Sequence, residues 1–165
     1  MRKKLTVAAV VLLAGVAAWL LYYYSDEQVI KRKLTTMAAS VSKEGEESPV
    51  TMALKLKPVK DFIAPACEVR VPERNYRQIL EPGLVIRYLI MYRSRLADLQ
   101  VGLDEITVEI PSKGRGEVSA LVHVVANRNR ADYFDEIHRV TFSVHKEEEA
   151  WLLRRAVLPE ALVRR

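Results

Sequence analysis

Six side chains in the second half of the sequence are of types that transfer protons or stabilise the charge that develops during a reaction. They are Tyr88, Tyr92, Asp98, His123, His138 and Arg139. Histidine, carboxylate and tyrosine groups are the usual general acids and bases, and a guanidinium can stabilise an oxyanion. If several of them met in one pocket, they could transfer protons to and from a bound molecule.

Both histidines alternate with apolar residues. His138 shares a predicted strand face with Val140 and Phe142, and His123 shares one with Val125. Side chains two residues apart on a strand lie on the same face of the sheet. A single histidine among apolar neighbours is more often a core or pocket-rim residue than a catalyst. We therefore predict that both are pocket candidates, and that His138 lies at a rim.

The two tyrosines and the aspartate have simpler structural interpretations. Tyr88 and Tyr92 are spaced i, i+4, so they share one face of a helix, where such pairs more often pack than react. Asp98 follows the same helical segment and is expected at its end. A proton-transfer site of this kind needs a carboxylate base and an oxyanion donor in an apolar pocket. No motif in the sequence identifies such a pair.

The sequence predicts neither a metal site nor a cofactor. Its three histidines are separated, and Cys67 is the only cysteine. Zinc sites require closely spaced histidines and cysteines, which are absent from the sequence. There is also no glycine-rich phosphate loop and no nucleophile elbow. Cys67 is expected to be a small buried hydrophobe.

A long uncharged run begins near the N-terminus and extends from Leu5 to Tyr24. About twenty helical residues span about 30 Å, which matches the hydrocarbon core of a bilayer. Basic residues 2–4 precede the run, and Trp19 lies near its end with Tyr24, as in an aromatic belt. The pattern predicts a single-pass anchor, residues 1–24, that contacts membrane lipid.

Two alternatives to this anchor stay open. The small residues 16–18 would suit cleavage of a secretory signal, although the apolar run continues beyond them. Basic residues 31–33 follow the run, so the charges on its two sides are nearly balanced. We expect residues 25–165 to be periplasmic or extracellular, and the inverted topology is the alternative.

The charge and length of the chain restrict its class. The sequence has 165 residues and a net charge of +5, and much of this surplus is in residues 2–4. About 140 residues suit one ordinary domain with its own core. Nucleic acid is not an expected partner, because such proteins usually carry a basic stripe.

The periodicity of the sequence predicts helices first and strands afterwards. A capping box at Ser25 starts a helix, a second helix extends from about Val50 to Ala64, and residues 84–99 form the central packing helix. A minor strand is predicted at 67–71. Period-two segments then predict a meander of four antiparallel strands, which are 103–110, 117–127, 137–146 and 150–157. This order indicates an α+β domain, with helices packed on a curved antiparallel sheet.

These segments resemble the NTF2-like superfamily, the cone-shaped fold of ketosteroid isomerase and SnoaL-type proteins. The resemblance covers roughly Asp26 to Val157 and rests on the helix that ends at 92–99, the strand 106–110 and the paired strands after it. Glu149-Ala150-Trp151 resembles the final hairpin of the family, but without its turn glycine. The resemblance implies a curved sheet around a conical pocket. If that sheet packs on the helix of Tyr88 and Tyr92, we expect Phe142 and Trp151 to be buried, with Leu89 nearby. It does not imply a reaction.

Two functions compete at this point. The first is a membrane-anchored, non-catalytic binding or assembly module, by analogy with VirB8-type secretion subunits, with a protein partner or a second copy on its sheet. The second is a small-molecule isomerase, dehydratase or lyase that uses the internal pocket. The lack of a recognisable acid–base pair favours the first, and an open pocket with an acid facing a tyrosine or histidine would favour the second.

Overall fold

The computed structural model describes residues 2–163, with side chains from Val10 to Leu162. The helices are α1 (Arg2–Tyr23), α2 (Asp26–Val41), α3 (Pro49–Phe62), α4 (Pro82–Arg95) and α5 (Glu160–Val163). The strands are β1 (Ile63–Val71), β2 (Tyr76–Leu80), β3 (Leu99–Ser112), β4 (Arg115–Ala126), β5 (Phe134–Glu147) and β6 (Ala150–Val157). A short 3-10 turn, Pro72–Arg74, connects β1 to β2.

The six strands form one sheet in the order β2-β1-β6-β5-β4-β3. The predicted meander from β3 to β6 is confirmed, and each of its strands pairs antiparallel with the next. The prediction of a wholly antiparallel sheet is wrong, because β1 pairs parallel with β6. The mixed sheet arises because the β1–β2 hairpin joins the meander at its last strand. We call the face that carries α2 and α3 the inner face, and the opposite one the outer face.

Helix α2 begins at the predicted cap. Ser25 Oγ accepts a hydrogen bond from the backbone N–H of Gln28, and Asp26 and Glu27 occupy the first turn, where negative charge is favourable. The buried residues of α2 include Ile30 and Leu34, which belong to the hydrophobic core. Burial of one helix face accounts for the spacing of four residues between them.

Two prolines lie inside elements and do not end them. Pro58 lies inside α3, which continues to Phe62. Pro65 lies inside β1, which begins at Ile63 and not at Cys67. The register between β1 and β6 is irregular between Ile63 and Glu68, so the missing N–H of Pro65 falls where regular pairing is interrupted.

Helix α4 is not the central packing helix. Of its residues only Arg93 is buried, and Tyr88 and Met91 are exposed. The apolar residues of α4 lie on several faces, so only a narrow set, including Leu89, packs against the core. Residues of α2, α3 and the strands form that core. The segment before α4, Tyr76–Leu80, forms β2, which the sequence analysis missed.

The sheet is irregular along β3, where the pairing register with β4 shifts between Asp104 and Thr107. Glu105 lies there with a positive φ of 48°, which is typical of a bulge. A bulge bends its strand and increases the local twist. It therefore gives the sheet the curvature that a cone-shaped domain requires.

One glycine is needed for close packing between α2 and the sheet. A Cβ on the buried Gly116 would lie 2.8 Å from Val144 Cγ2 and 3.3 Å from Ile30 Cδ1. Glycine at this position lets Ile30 approach the paired strands β4 and β5. The inner face is thus filled at this end of the sheet, where Phe142 and Trp151 are buried as predicted.

Among the described residues, the structure has no helix whose length and apolar character would suffice for crossing a membrane. Leu5, the first residue of the uncharged run, lies outside the residues whose side chains are described. From Val10 onward the large apolar side chains of α1, including Trp19, are exposed, and so is Tyr24 just beyond the helix.

Candidate functional site on the inner face

His138 and Glu136 form a pair on β5. Both side chains lie on the inner face, because residues two apart on a strand share a face and the next ones, Val140 and Phe142, are buried in the core. His138 Nε2 lies 2.9 Å from Glu136 Oε2. Their side chains are 19% and 27% exposed, so a small molecule can reach them from solvent.

The surroundings of this pair are largely apolar. In the register of β4 and β5, His138 lies opposite Val122 and Glu136 lies opposite Val124, and both valines are buried. Phe134, two residues before Glu136, packs against the core. A partly desolvated imidazole beside a carboxylate is suited to proton transfer, because the low local dielectric strengthens their interaction.

The hydrogen bond restricts the protonation of the imidazole. An ionised Glu136 can only accept, so Nε2 carries the proton that is donated to it. The lone pair of a neutral imidazole then lies on Nδ1, which is the atom that can take a proton from a substrate. Glu136 would stabilise the imidazolium that forms, as the carboxylate does in a serine hydrolase triad.

The structure does not place the two tyrosines in equivalent environments. Tyr92 is half-buried against the core, whereas Tyr88 is exposed. Their shared helix face, as predicted from the spacing, therefore contacts the core at one end only.

His123 and Arg139 lie on the outer face, away from His138. His123 pairs with Ile137 in the register and its Nε2 lies 2.6 Å from Asp135 Oδ1. This hydrogen bond holds the pKa of Asp135 below its ordinary value. Arg139 contacts Glu105 at 3.3 Å. The five pocket candidates from the sequence are thus divided between α4 and the two faces of the sheet.

Asp98 lies just beyond α4, as expected, and takes part in a loop clasp that the sequence analysis missed. Its carboxylate accepts a hydrogen bond from Arg128 N at 3.2 Å. The buried Asn127 accepts from Ala97 N at 2.8 Å and donates to Asp132 at 2.7 Å. Asn127 also has a positive φ of 55°, which asparagine tolerates better than most residues. The clasp is structural and fixes the loop between β4 and β5.

Two buried basic side chains, Lys43 and Arg93, lie at the C-terminal end of α4. Lys43 Nζ donates to the carbonyl oxygens of Arg93 and Leu96, at 3.1 and 2.7 Å, and so caps this helix C-terminus. Arg93, which is 0% exposed, contacts Glu47 Oε2 at 2.6 Å. Burial raises the pKa of Glu47, but the hydrogen bond from Lys55 and the charge of Arg93 outweigh it and hold the pKa below its ordinary value.

Three cavities in the described part of the chain are lined by neither His138 nor either tyrosine. One of about 480 Å³ lies between α2 and α3, beside Lys33 and Phe62. One of about 730 Å³ lies beside Lys43 and Asp98. The third, of about 510 Å³, lies on the outer face and is lined by several arginines. No cluster of three metal-ligating side chains is found among the described residues.

Solved structures with the same fold come from several bacteria. A Novosphingobium aromaticivorans protein, whose name proposes an aromatic ring hydroxylase, aligns with a TM-score of 0.64 at 13% identity, over 80% of this chain and 86% of its own. A second protein from that organism, named as a proposed scytalone dehydratase, aligns with a TM-score of 0.59 at 14% identity, over 79% and 80%. A Streptomyces avermitilis protein, named as a proposed dehydratase of the NTF2-like family, aligns with a TM-score of 0.61 at 10% identity, over 81% and 94%.

No protein-family profile and no curated protein matches the sequence. The structural likenesses show that the domain has the NTF2-like fold, with helices packed on a curved mixed sheet. This confirms the fold that the resemblance implied.

Proposed function

We propose that the domain is a small-molecule dehydratase, lyase or isomerase in which His138 transfers a proton on the inner face of the sheet. The observation that carries the proposal is the 2.9 Å hydrogen bond between His138 Nε2 and Glu136, at a solvent-reachable position among apolar side chains. The names of the three structural neighbours include two proposed dehydratases, which supports this class of reaction over a non-catalytic role.

The chemistry can be written for a dehydration. His138 Nδ1 takes a proton from the carbon next to a carbonyl group of the substrate, and the electron pair of that bond forms the new double bond. The hydroxyl group on the neighbouring carbon leaves with its electron pair and receives a proton, which the imidazolium can return, to form water. Glu136 holds the ring in place and stabilises its charged form.

The test uses a panel of cyclic β-hydroxy ketones, with loss of water followed by mass spectrometry. Wild-type protein should convert at least one of them, and His138→Gln should lower kcat by about 10²–10⁴-fold, the usual contribution of a general acid or base. Glu136→Gln should also lower kcat, while the melting temperature of each variant stays near that of the wild type.

His123→Gln is the matched control. It removes a histidine that is also hydrogen-bonded to a carboxylate, but on the outer face. Turnover should be unchanged in this variant. An equal loss in His123→Gln and His138→Gln, or no loss in His138→Gln, would contradict the assignment.

A second candidate is the membrane-anchored, non-catalytic module. It is favoured by the exposed apolar surface of α1 from Val10 onward, and by the three cavities, none of which His138 lines. Its partners would be membrane lipid, through α1, and a protein or a second copy of the chain, through the sheet. The domain would then be periplasmic or extracellular.

Two measurements separate this candidate from the enzyme. The full chain should sediment with membranes, and a variant without residues 1–24 should remain folded in the soluble fraction. His138→Ala should leave cellular function intact if the domain only binds partners. Loss of function with an unchanged melting temperature would favour the enzyme instead.

A further inference from the structure

One row of side chains crosses the outer face of the sheet from β4 to β2. The strand registers place Glu117 opposite Ser143, Ser143 opposite Arg155, Arg155 opposite Glu68, and Glu68 opposite Ile79. Ser143 Oγ donates to Glu117 at 2.7 Å, and Arg155 Nε donates to Glu68 at 2.8 Å. All five residues line the outer-face cavity of about 510 Å³, so this cavity lies above five neighbouring strands of the sheet.

Three arginines share the carboxylate of Glu68. Arg70 Nε and Arg155 Nε each lie 2.8 Å from it, and Arg77 also forms an ion pair with it. Hydrogen bonds from Arg70 and then Arg155 lower the pKa of Glu68 to about 2. The single negative charge of Glu68 therefore pairs with three guanidinium groups, so this cluster has a net positive charge.

Two more arginines line the same cavity. Arg154 is paired with Glu147 at 2.8 Å, so its charge is balanced. Arg115 is exposed and, among the described residues, forms neither an ion pair nor a side-chain hydrogen bond. Its charge offsets that of Glu117, the second carboxylate of the cavity, and its donors have no acceptor among the described side chains.

The pKa of His145 is affected by the positive charge of the neighbouring arginines. It lies opposite Arg115 in the register and lines the cavity. Burial, and then the charges of Arg115 and Arg154, hold its pKa below 6.5. At neutral pH the ring is therefore mostly uncharged, and it can still donate one hydrogen bond.

We propose that this outer-face cavity, bordered by Arg77, Arg115, Arg154 and Arg155, binds a small anion of the phosphate or phosphomonoester type. Guanidinium groups present planar pairs of donors that match phosphate oxygens, and charge-assisted hydrogen bonds of this kind are strong. The positive groups surround one cavity and do not extend as a stripe, so the geometry suits a compact ligand better than a nucleic acid. The site is on the opposite face from His138 and does not depend on the proposed function.

The experiment is isothermal titration calorimetry of the full chain with inorganic phosphate and with phenyl phosphate. Either ligand should bind, and the tighter one shows whether free phosphate or a phosphomonoester is the natural class. Arg115→Gln should weaken binding about tenfold or more, the usual effect of losing a hydrogen bond to a charged group. Arg115 is exposed and unpaired, so this variant is not expected to affect folding.

Arg139→Gln is the matched control, because Arg139 is an exposed arginine on the same face but outside the cavity. Its binding constant should equal that of the wild type. Glu68→Gln provides a test with the opposite sign, since removing the carboxylate increases the positive surplus and should tighten binding. Phosphate should also raise the pKa of His145, measured by NMR.

Three results would overturn the site. These are no binding of either ligand, equal weakening by Arg115→Gln and Arg139→Gln, or binding that leaves the pKa of His145 unchanged. If Glu68→Gln does not fold, the comparison of Arg115→Gln with Arg139→Gln decides the question by itself.

Discussion

The indole of Trp151 donates a hydrogen bond from Nε1 to Asp26 Oδ1 at 2.8 Å. This contact joins the start of β6 to the first turn of α2, and Lys146 Nζ lies 3.3 Å from the same oxygen. Trp151 is 1% exposed, so its N–H depends on this one acceptor. The side chain that starts α2 also fixes the last hairpin of the sheet.

Replacing Asp26 should therefore destabilise the domain through Trp151. Asp26→Ala leaves a buried N–H without a partner, which costs about 1–3 kcal/mol of the free energy of unfolding. Asp26→Asn keeps an oxygen acceptor and should cost less. Urea denaturation followed by fluorescence measures both values. Equal destabilisation by the two variants would show that the hydrogen bond is not the source.

The same pair predicts a dependence on pH. The hydrogen bond from Trp151, followed by Lys146, lowers the pKa of Asp26 from its ordinary 3.8. A group whose pKa is lower in the folded state stabilises the fold above its unfolded pKa, and this contribution is lost as the pH falls through the folded pKa. The stability advantage of wild type over Asp26→Asn should be full at neutral pH and shrink below about pH 3.8. An advantage that is constant down to acid unfolding would contradict this prediction.

The ion pair of Arg93 and Glu47 predicts an asymmetry between two substitutions. Glu47→Gln leaves the fully buried guanidinium without a counter-charge and should cost about 3–5 kcal/mol. Arg93→Met removes the buried charge itself, and Glu47 keeps Lys55 at 2.8 Å. It should cost much less, and a similar loss in both variants, measured by denaturation, would argue against this account.

Phe142 tests the core below the candidate site. It is 6% exposed, so Phe142→Ala should cost about 3–5 kcal/mol. Ile137→Ala on the same strand is the control, since Ile137 is 59% exposed and should change stability by less than about 0.5 kcal/mol. If both variants lose similar stability, the assignment of the two faces of β5 is wrong.

Cys67 should react only when the domain opens. It is buried in the core, and burial raises the pKa of its thiol to about 11. The thiolate is the reactive form, so labelling by a disulfide reagent at neutral pH should be slow in the native protein and fast in urea. Fast labelling of the native protein would show that β1 separates easily from its neighbours.

The sequence was sufficient to predict the elements in which apolar residues recur with one regular period. The strands β4 to β6 alternate because one face is buried, and α2 repeats its apolar residues because one stripe is buried. The same reasoning misjudged α4, whose apolar residues surround the helix and do not show which side packs. It also missed β2, where Arg77 and Gln78 interrupt any apolar pattern at the edge of the sheet.

Only part of the candidate site could be predicted from the sequence. The alternation of β5 placed His138 on the core face, and the same rule would have put Glu136 beside it. His123 and His138 lie on opposite faces of the sheet because of the pairing register between β4 and β5. Periodicity within each strand does not determine that register. The cluster around Glu68 could not be predicted from the sequence, because Arg70, Arg77 and Arg155 meet there through pairings between separate strands.

The parallel pairing of β1 with β6 has a consequence for synthesis of the chain. Glu68 and Arg155, which meet across this pairing, are 87 positions apart in sequence. On the ribosome, the early hairpin of β1 and β2 must wait until β6 has emerged before it can join its neighbour. Contacts between distant positions also slow folding in general. We expect the nascent chain to spend this interval with an open strand edge, when assistance from a chaperone would be most useful.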